Sequence, residues 1–398
     1  MADHGSEPLR EALALVAPGT PLRDGLDRIL QANRGALVVV GDDPAVLSIC
    51  TGGFLLDAEF SPQRLSELAK MDGAVILTSD ASRIARANVH LMPRASIPTT
   101  ETGTRHRTAE RVARSIEVPV VTVSEAMATV TVYRSTHRHT LQRTGRLVDR
   151  ATQAIAAVQR FKTRFDQALA LLSTLEVEDT VSVGDVVAVL QPGEMVVRFT
   201  GEIEDHLVEL GEDGRLIRLQ IEELGAGVED TLRLVALDYV VERHGDEAPQ
   251  EGAADGAERS NGSVGAGGRR LSVDEPSGDG RHPAREELAD RALAALHELT
   301  HDELLGRSAV STVVGIEPDP GALDRAAEAR GYRQLHRLPR VSDTIIQRIV
   351  ERFVTLPQIM QASLADLEEV GGVGEAKARA VKDGLARMVE ASILERYE

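Results

Sequence analysis

Along the first 145 residues, short apolar runs alternate with amphipathic ones. Ala36 to Val40 and Ala45 to Cys50 are each rich in β-branched and small apolar residues, separated by Gly41, Asp42, Asp43 and Pro44, and each predicts a strand. Ser61 before Pro62 predicts a helix start, with serine at the N-cap and proline at the first helical position. Leu65, Leu68 and Ala69 give that helix its apolar stripe. Ala74 to Thr78 predicts a strand, Thr104 to Ser115 a helix, and Val118 to Val123 another strand. Thr129 to Tyr133 and His139 to Leu141 predict a closing hairpin. Strands alternating with helices in this way predict an α/β domain over residues 1–145, with a mixed sheet covered by helices.

From about Leu147 the period changes. Val148, Ala151, Ile155, Val158 and Phe161 recur at three- and four-residue spacing, as one buried helical face requires. Residues 178–243 continue the helical pattern, and it resumes from Glu286 through Leu304, so 146–332 reads as an all-α middle domain. Between these stretches, about 245–280, Gly, Ser, Asp and Glu dominate without an aromatic residue. Such a segment buries too little surface to offset its ordering entropy, and it predicts a disordered insertion. Residues 333–398 hold an internal repeat. Leu338, Pro339, Arg340, Val341 and Ser342 precede one amphipathic run, and Val370, Gly371, Gly372, Val373 and Gly374 precede another 32 residues on. Ser363 and Asp366 predict a capping box before the second copy. The reading is two helix–hairpin–helix units, an all-α C-terminal domain.

Composition adds limits. The 398 residues are 42% hydrophobic and 27% charged, enough for two or three domains. No run of apolar residues is long enough for a transmembrane helix, and residues 1–7 lack the features of a secretory signal, so a cytoplasmic protein without membrane contact is expected. A single cysteine, Cys50, excludes an internal disulfide framework and a multi-cysteine metal site. The net charge of −18 opposes nucleic-acid binding only as an average. Residues 201–246 carry 4 basic and 13 acidic side chains, whereas 1–145 carry 16 of each and 333–398 carry 10 of each. A broadly basic DNA-coating protein is excluded; local phosphate contacts are not.

Three clusters point to chemistry. Gly372 and Gly374 flank an inward Val373 and let the backbone approach another surface closely. The amides at the start of the next helix then favour a phosphate, with Lys377, Arg379 and Lys382 beside them. This resembles the helix–hairpin–helix motif of DNA repair proteins, which grips duplex backbone without reading bases. Asp72, Gly73 and Ala74 place a carboxylate where a helix gives way to a buried strand. Thr104, Arg105, His106, Arg107 and Thr108 gather cations, hydroxyls and free amides at a helix N-terminus, either as a polyanion cradle or as a solvated turn. A carboxylate beside an anion cradle suggests a metal–nucleotide site. His137 and His139 read as solvated hairpin histidines, Cys50 as a small buried hydrophobe, and Arg160, Lys162 and Arg164 as an ion-paired wet surface.

Asp72-Gly73-Ala74 followed 31 residues later by Arg105-His106-Arg107 resembles the DGA and RHR signature of diadenylate cyclases. With the helical middle and the C-terminal hairpins, the whole chain resembles the DNA integrity scanning family. The resemblance implies condensation of two ATP into cyclic di-AMP and two pyrophosphates, with Mg²⁺ or Mn²⁺ as cofactor. It also implies a nucleoid-associated homo-octamer whose cyclase domains face each other in pairs, with activity coupled to branched or damaged DNA. Asp72 would then hold the metal, Gly73 and Ala74 would admit the nucleotide, and Leu91 would pack on adenine. Thr104 to Thr108 would bind phosphates, Arg105, His106 and Arg107 acting in catalysis, and Ser124 would contact the nucleotide. Ala126 stands where some members carry a second glutamate. The alternative is a non-catalytic ATP-binding scaffold for DNA junctions.

Overall fold

A computed structural model describes residues 6–241, 285–317 and 319–395; the insertion predicted at 245–280 lies outside the described residues. Contacts divide the chain into two compact units, one of residues 1–155 with 201–222, the other of 156–200 with 223–398.

The first unit is a sheet between two helical layers. Helices α1 (Ser6–Leu15) and α2 (Pro21–Gln31) lead into β1 (Ala36–Val40), then α3 (Pro44–Ser48), β2 (Cys50–Thr51) and β3 (Phe54–Glu59). There follow α4 (Pro62–Leu68), β4 (Ala74–Leu77), β5 (Arg83–Leu91), α5 (Thr104–Ile116), β6 (Val120–Ser124), β7 (Thr129–Arg134) and β8 (His137–Thr140). The strand order is β2-β5-β4-β1-β6-β7-β8, with β3 also on β5. Only β1 and β4 run parallel; the other pairs are antiparallel, so the sheet is mixed as expected.

Alternation along the strands divides the core. Val38, Val40, Val75, Leu77, Val121 and Val123 face the layer containing Leu22, Leu26 and Ile29 of α2 and Leu65 of α4. Leu37, Val39, Ile76, Val120 and Tyr133 face Ala109, Val112 and Ala113 of α5. The predicted cap of α4 forms, Ser61 Oγ accepting from the Arg64 amide at 3.2 Å.

Residues 45–50 correct the sequence reading. They form α3 and a two-residue strand rather than one long strand: Asp43 occupies the N-cap and Pro44 the first turn. That proline supplies a helix-ready φ and removes an amide a strand would need.

Beyond the sheet the chain is helical: α6 (Thr144–Glu178), α7 (Val183–Leu210), α8 (Arg215–Gly225), α9 (Val228–Tyr239), α10 (Arg285–Glu298), α11 (His301–Leu305) and α12 (Arg307–Val313). Then come α13 (Tyr332–His336), α14 (Asp343–Phe353), α15 (Leu356–Gln361), α16 (Leu364–Glu368) and α17 (Glu375–Glu395). Among the described residues no helix is long and apolar enough to cross a membrane.

A buried polar knot holds α6, α9 and α13 together within the second unit. Arg333, 4% exposed, donates from Nη2 and Nε to the Glu176 carboxylate at 2.5 and 3.2 Å, and Tyr239 and Gln334 donate to the same group. Asp238 accepts from the amides of Gly331, Tyr332 and Arg333 at 2.7–3.1 Å, capping α13. Burial and the neighbouring Glu176 push the Asp238 carboxyl up to about 7, against the pull of the Arg333 and Tyr332 amides.

Removing one member of such a pair strands the other charge. Arg333→Met is expected to lower stability by about 3–5 kcal/mol in chemical unfolding, and adding Glu176→Met to recover most of it. A carboxyl whose folded pKa is raised contributes stability that is complete below the ordinary carboxylate range and is lost as pH rises through about 7. The unfolding midpoint should therefore fall between pH 5 and 8 more steeply in the native protein than in Asp238→Asn, measured side by side.

Candidate functional site

The register of the sheet places three chain segments at one end. Val38 of β1 pairs with Val75 of β4, and Ala36 of β1 with Val123 of β6. Gly35 before β1, Asp72 and Gly73 before β4, and Ser124 ending β6 therefore lie together, and α5 brings its N-terminus to them. Arg105 Nη2 donates to Asp72 Oδ1 at 2.8 Å; the Asp72 side chain is 95% exposed, and no other hydrogen bond reaches it among the described residues. An ion pair this exposed contributes little to stability, so it is an orientation that an incoming ligand can replace.

The start of α5 is exposed and carries free backbone amides. Gly103 is the N-cap and offers no side chain; the Arg107 amide bonds the Gly103 carbonyl at 2.9 Å. The amides of Thr104, Arg105 and His106 have no acceptor among the described residues, as the first turn of a helix requires, and they add the positive end of the dipole. Arg107 is exposed and its guanidinium has no partner among the described residues. Thr108 Oγ1 is tied to the Thr104 carbonyl at 3.0 Å.

His106 is half-buried and differs from its neighbours. Its Nδ1 lies 2.8 Å from the Tyr133 hydroxyl and 3.1 Å from Thr122 Oγ1. Burial pushes its pKa down, helped by Arg138 and Arg105 and opposed by Glu101. Burial and Glu101 push the Tyr133 hydroxyl well above its ordinary value, so it stays protonated.

The glycines of the site serve the fold as much as any ligand. A Cβ on Gly73 would meet the Asn88 backbone at 2.5 Å, where β5 bulges and Asn88 has φ +55°. Gly35 carried no sequence signal, yet a Cβ there would collide with the Arg105 guanidinium. Ala74 is a buried strand residue paired with Val89, and Leu91 is buried on the α5 side of the sheet. Ser124 pairs with Thr129, and its Oγ accepts from the Met127 amide at 3.3 Å.

The loop before α5 is fastened by groups that sequence reading missed. Buried Glu110 accepts from Thr99 Oγ1 and the Thr100 amide and pairs with Arg114. Arg111 Nε and Arg114 Nη1 donate to the carbonyls of Ile97 and Pro98. The two histidines of the hairpin also differ from expectation. His139 is about one-third exposed but anchored: its Nε2 contacts Glu209 Oε2 at 2.8 Å, and His137 Nδ1 is buried. The partner lies 70 residues away in sequence, which no local pattern reveals. Cys50 is half-buried with its thiol on the Val46 carbonyl, and burial raises its pKa.

At the C-terminus, the Ser363–Asp366 capping box forms as expected, with both reciprocal bonds. Gly372 has φ +88° and Val373 is buried. Arg340, 32 residues earlier, also has a left-handed backbone, at φ +68°. Lys377 Nζ lies on the Gly372 carbonyl at 3.0 Å, Arg379 pairs with Glu375, and Gly374 has open space around its Cα. Lys382 is instead engaged by the Met360 carbonyl at 2.8 Å. Arg348 of α14 donates to Gly371 at 2.7 Å, a cross-link between the two copies.

Gly35→Ala should push Arg105 away from Asp72. Binding of a nucleoside triphosphate, followed by calorimetry, is expected to weaken about tenfold or more while the unfolding transition moves little.

The model described as DisA bacterial checkpoint controller nucleotide-binding matches residues 23–138, and that described as DisA bacterial checkpoint controller linker region matches 141–259. A protein of Streptomyces coelicolor named DNA integrity scanning protein DisA is 45% identical, over 98% of this chain and 94% of its own. Namesakes from Streptomyces avermitilis and Frankia alni are 46% and 44% identical, over 98% and 99% of this chain and 94% and 98% of their own. At such identity over nearly the full length, the chain belongs to the DNA integrity scanning protein DisA family.

Proposed function

We propose that the protein is a diadenylate cyclase that joins two ATP into cyclic di-AMP with release of two pyrophosphates, and that DNA contacts at its C-terminus modulate this output. The observation that carries the reading is the ion pair of exposed Asp72 with Arg105 in the first turn of α5, a turn that also carries Arg107 and three free amides.

The chemistry suits these groups. Attack of a 3′-hydroxyl on an α-phosphorus needs positioning and charge neutralisation more than a protein nucleophile. Arg105, Arg107, Thr104 and the amides would receive the phosphate oxygens, and Thr108 and Ser124 would border the nucleotide. Arg105 would exchange Asp72 for phosphate, which frees the carboxylate. Leu91 and Gly73 would support the base and ribose from within the sheet edge. No group of three or more His, Cys, Asp or Glu suited to a metal occurs among the described residues. That donor set fits a Mg²⁺ or Mn²⁺ held by Asp72 and otherwise by substrate phosphates and water, which is how Mg²⁺ is commonly bound. Such an ion would polarise the α-phosphate when bound.

One cradle holds one ATP, and a cyclic dinucleotide contains two new phosphodiester bonds. Two cradles must therefore face each other, which makes a dimer of cyclase domains the smallest competent unit and a homo-octamer a multiple of it. Residues 1–145, 146–332 and 333–398 would serve as cyclase, helical spine and DNA-contacting domain. In the last, Gly372, Gly374, Lys377 and Arg379 would hold duplex backbone through phosphate contacts.

Incubation with ATP and Mg²⁺ or Mn²⁺ should yield cyclic di-AMP and pyrophosphate, identified by mass spectrometry, and Asp72→Asn should reduce the rate by a factor of about 100 or more. Absence of product from the native protein would overturn the cyclase reading. Because Arg333 is buried in the polar knot, the DNA arm is better tested by substitution than by truncation at that residue. Lys377→Glu with Arg379→Glu should weaken junction DNA binding, reduce its salt dependence, and leave the DNA-free cyclase rate intact.

A further inference from the structure

The hydrogen-bond network behind His106 fixes which of its nitrogens faces the site. Tyr133 of β7 is 1% exposed, and its hydroxyl donates to Glu101 Oε1 at 2.8 Å. Glu101, in the loop before α5, is paired with Arg138 of β8 at 2.6 Å, so it is a carboxylate and can only accept. The single tyrosine proton is therefore committed to Glu101. The 2.8 Å contact between the Tyr133 oxygen and His106 Nδ1 must then carry the histidine's proton, with Nδ1–H donating. Thr122 agrees: it faces the Thr131 carbonyl as donor and so meets Nδ1, at 3.1 Å, as acceptor.

We infer that Tyr133 and Glu101 are positioning residues of the cyclase site, holding His106 as the Nδ1–H tautomer so that Nε2 presents a bare lone pair. Nε2 has no hydrogen bond among the described residues and is not sealed in the core. The cradle thereby divides its labour. Arg105, Arg107, Thr104 and the helix amides donate to phosphate oxygens, while His106 Nε2 accepts, and its partner is a proton-bearing group such as a substrate hydroxyl or a bound water. A phosphate oxygen without a proton is not a partner for it. The charged and titratable groups facing the imidazole are Arg105 on its own helix, Glu101 in the preceding loop, Tyr133 on β7 and Arg138 on β8. Burial pushes the imidazole pKa down, with Glu101 opposing and Arg138 and Arg105 adding to the shift.

The activity arm of the test rests on the cyclase reading; the spectroscopic arm does not. Full-length protein labelled with ring-¹⁵N, ring-¹³C histidine is examined by solid-state NMR at pH 7.5, without ATP, with His106→Gln to assign the signal. The native protein is expected to show His106 as Nδ1–H. Tyr133→Phe keeps the ring that fills the core and removes only the hydroxyl, and should convert a substantial share to Nε2–H; Thr122→Val should do the same to a smaller extent. In ATP turnover, Tyr133→Phe should lower kcat about tenfold or more with little change in KM. A native His106 in the Nε2–H form, or a tautomer unmoved in both variants, overturns the inference. An inactive native protein with the expected tautomer shift would refute the cyclase reading and leave the positioning intact.

Discussion

Close packing of α5 on the sheet is the constraint from which the site follows. The helix meets β1, β6 and β7 through Ala109, Val112 and Ala113, all fully buried, and the two alanines let its backbone come near the strands. Its position is then fixed by close-packed contacts that leave no room for drift. Since the N-terminus of α5 carries the cations and free amides, seating the helix seats the cradle. Glu110, Arg111 and Arg114, one to two turns further along, clasp the loop at residues 97–100 and hold Glu101 in place for Tyr133.

The site is thus assembled from opposites. An exposed carboxylate, Asp72, is kept at the sheet end by a residue with no side chain, because Gly73 must pass the bulged backbone at Asn88. An exposed arginine reaches that carboxylate over Gly35, where a Cβ would displace its guanidinium. Neither ion pair nor glycine contributes much to stability, and both leave space where a polyanion would enter. Four buried carboxylates, by contrast, are well partnered: Glu110, Glu176, Glu209 and Asp238 each have at least two donors or an arginine. The start of α5 instead presents free backbone amides beside the exposed Arg105 and Arg107.

Much of the fold was legible because its signals are local. Ser61-Pro62, Ser363 and Asp366 announced helix starts, the three-four spacing announced the long helices, and the motif at Asp72 and Arg105–Arg107 marked the site. β3 and β5 escaped notice for a physical reason. β3 is largely exposed, and β5 alternates Arg83, Arg86 and His90 with apolar residues across a bulge at Asn88, which breaks its period. At Ala45 to Cys50 the apolar run suggests a strand, but Pro44 in the first turn goes with a short helix, without a capping bond from Asp43. The tautomer of His106 was illegible altogether, because Glu101 and Tyr133 are 32 residues apart and only the sheet brings them together.

The account stands on two cradles acting as one site. Co-expressing native and Asp72→Asn chains at varied ratios, then measuring cyclic di-AMP per total chain, tests this most directly. Each cyclic product requires both facing chains to form one bond, so output should fall as the square of the native fraction, with linear dinucleotide accumulating from mixed pairs. Output proportional to the native fraction itself would mean that a single chain completes the reaction, and would contradict the account.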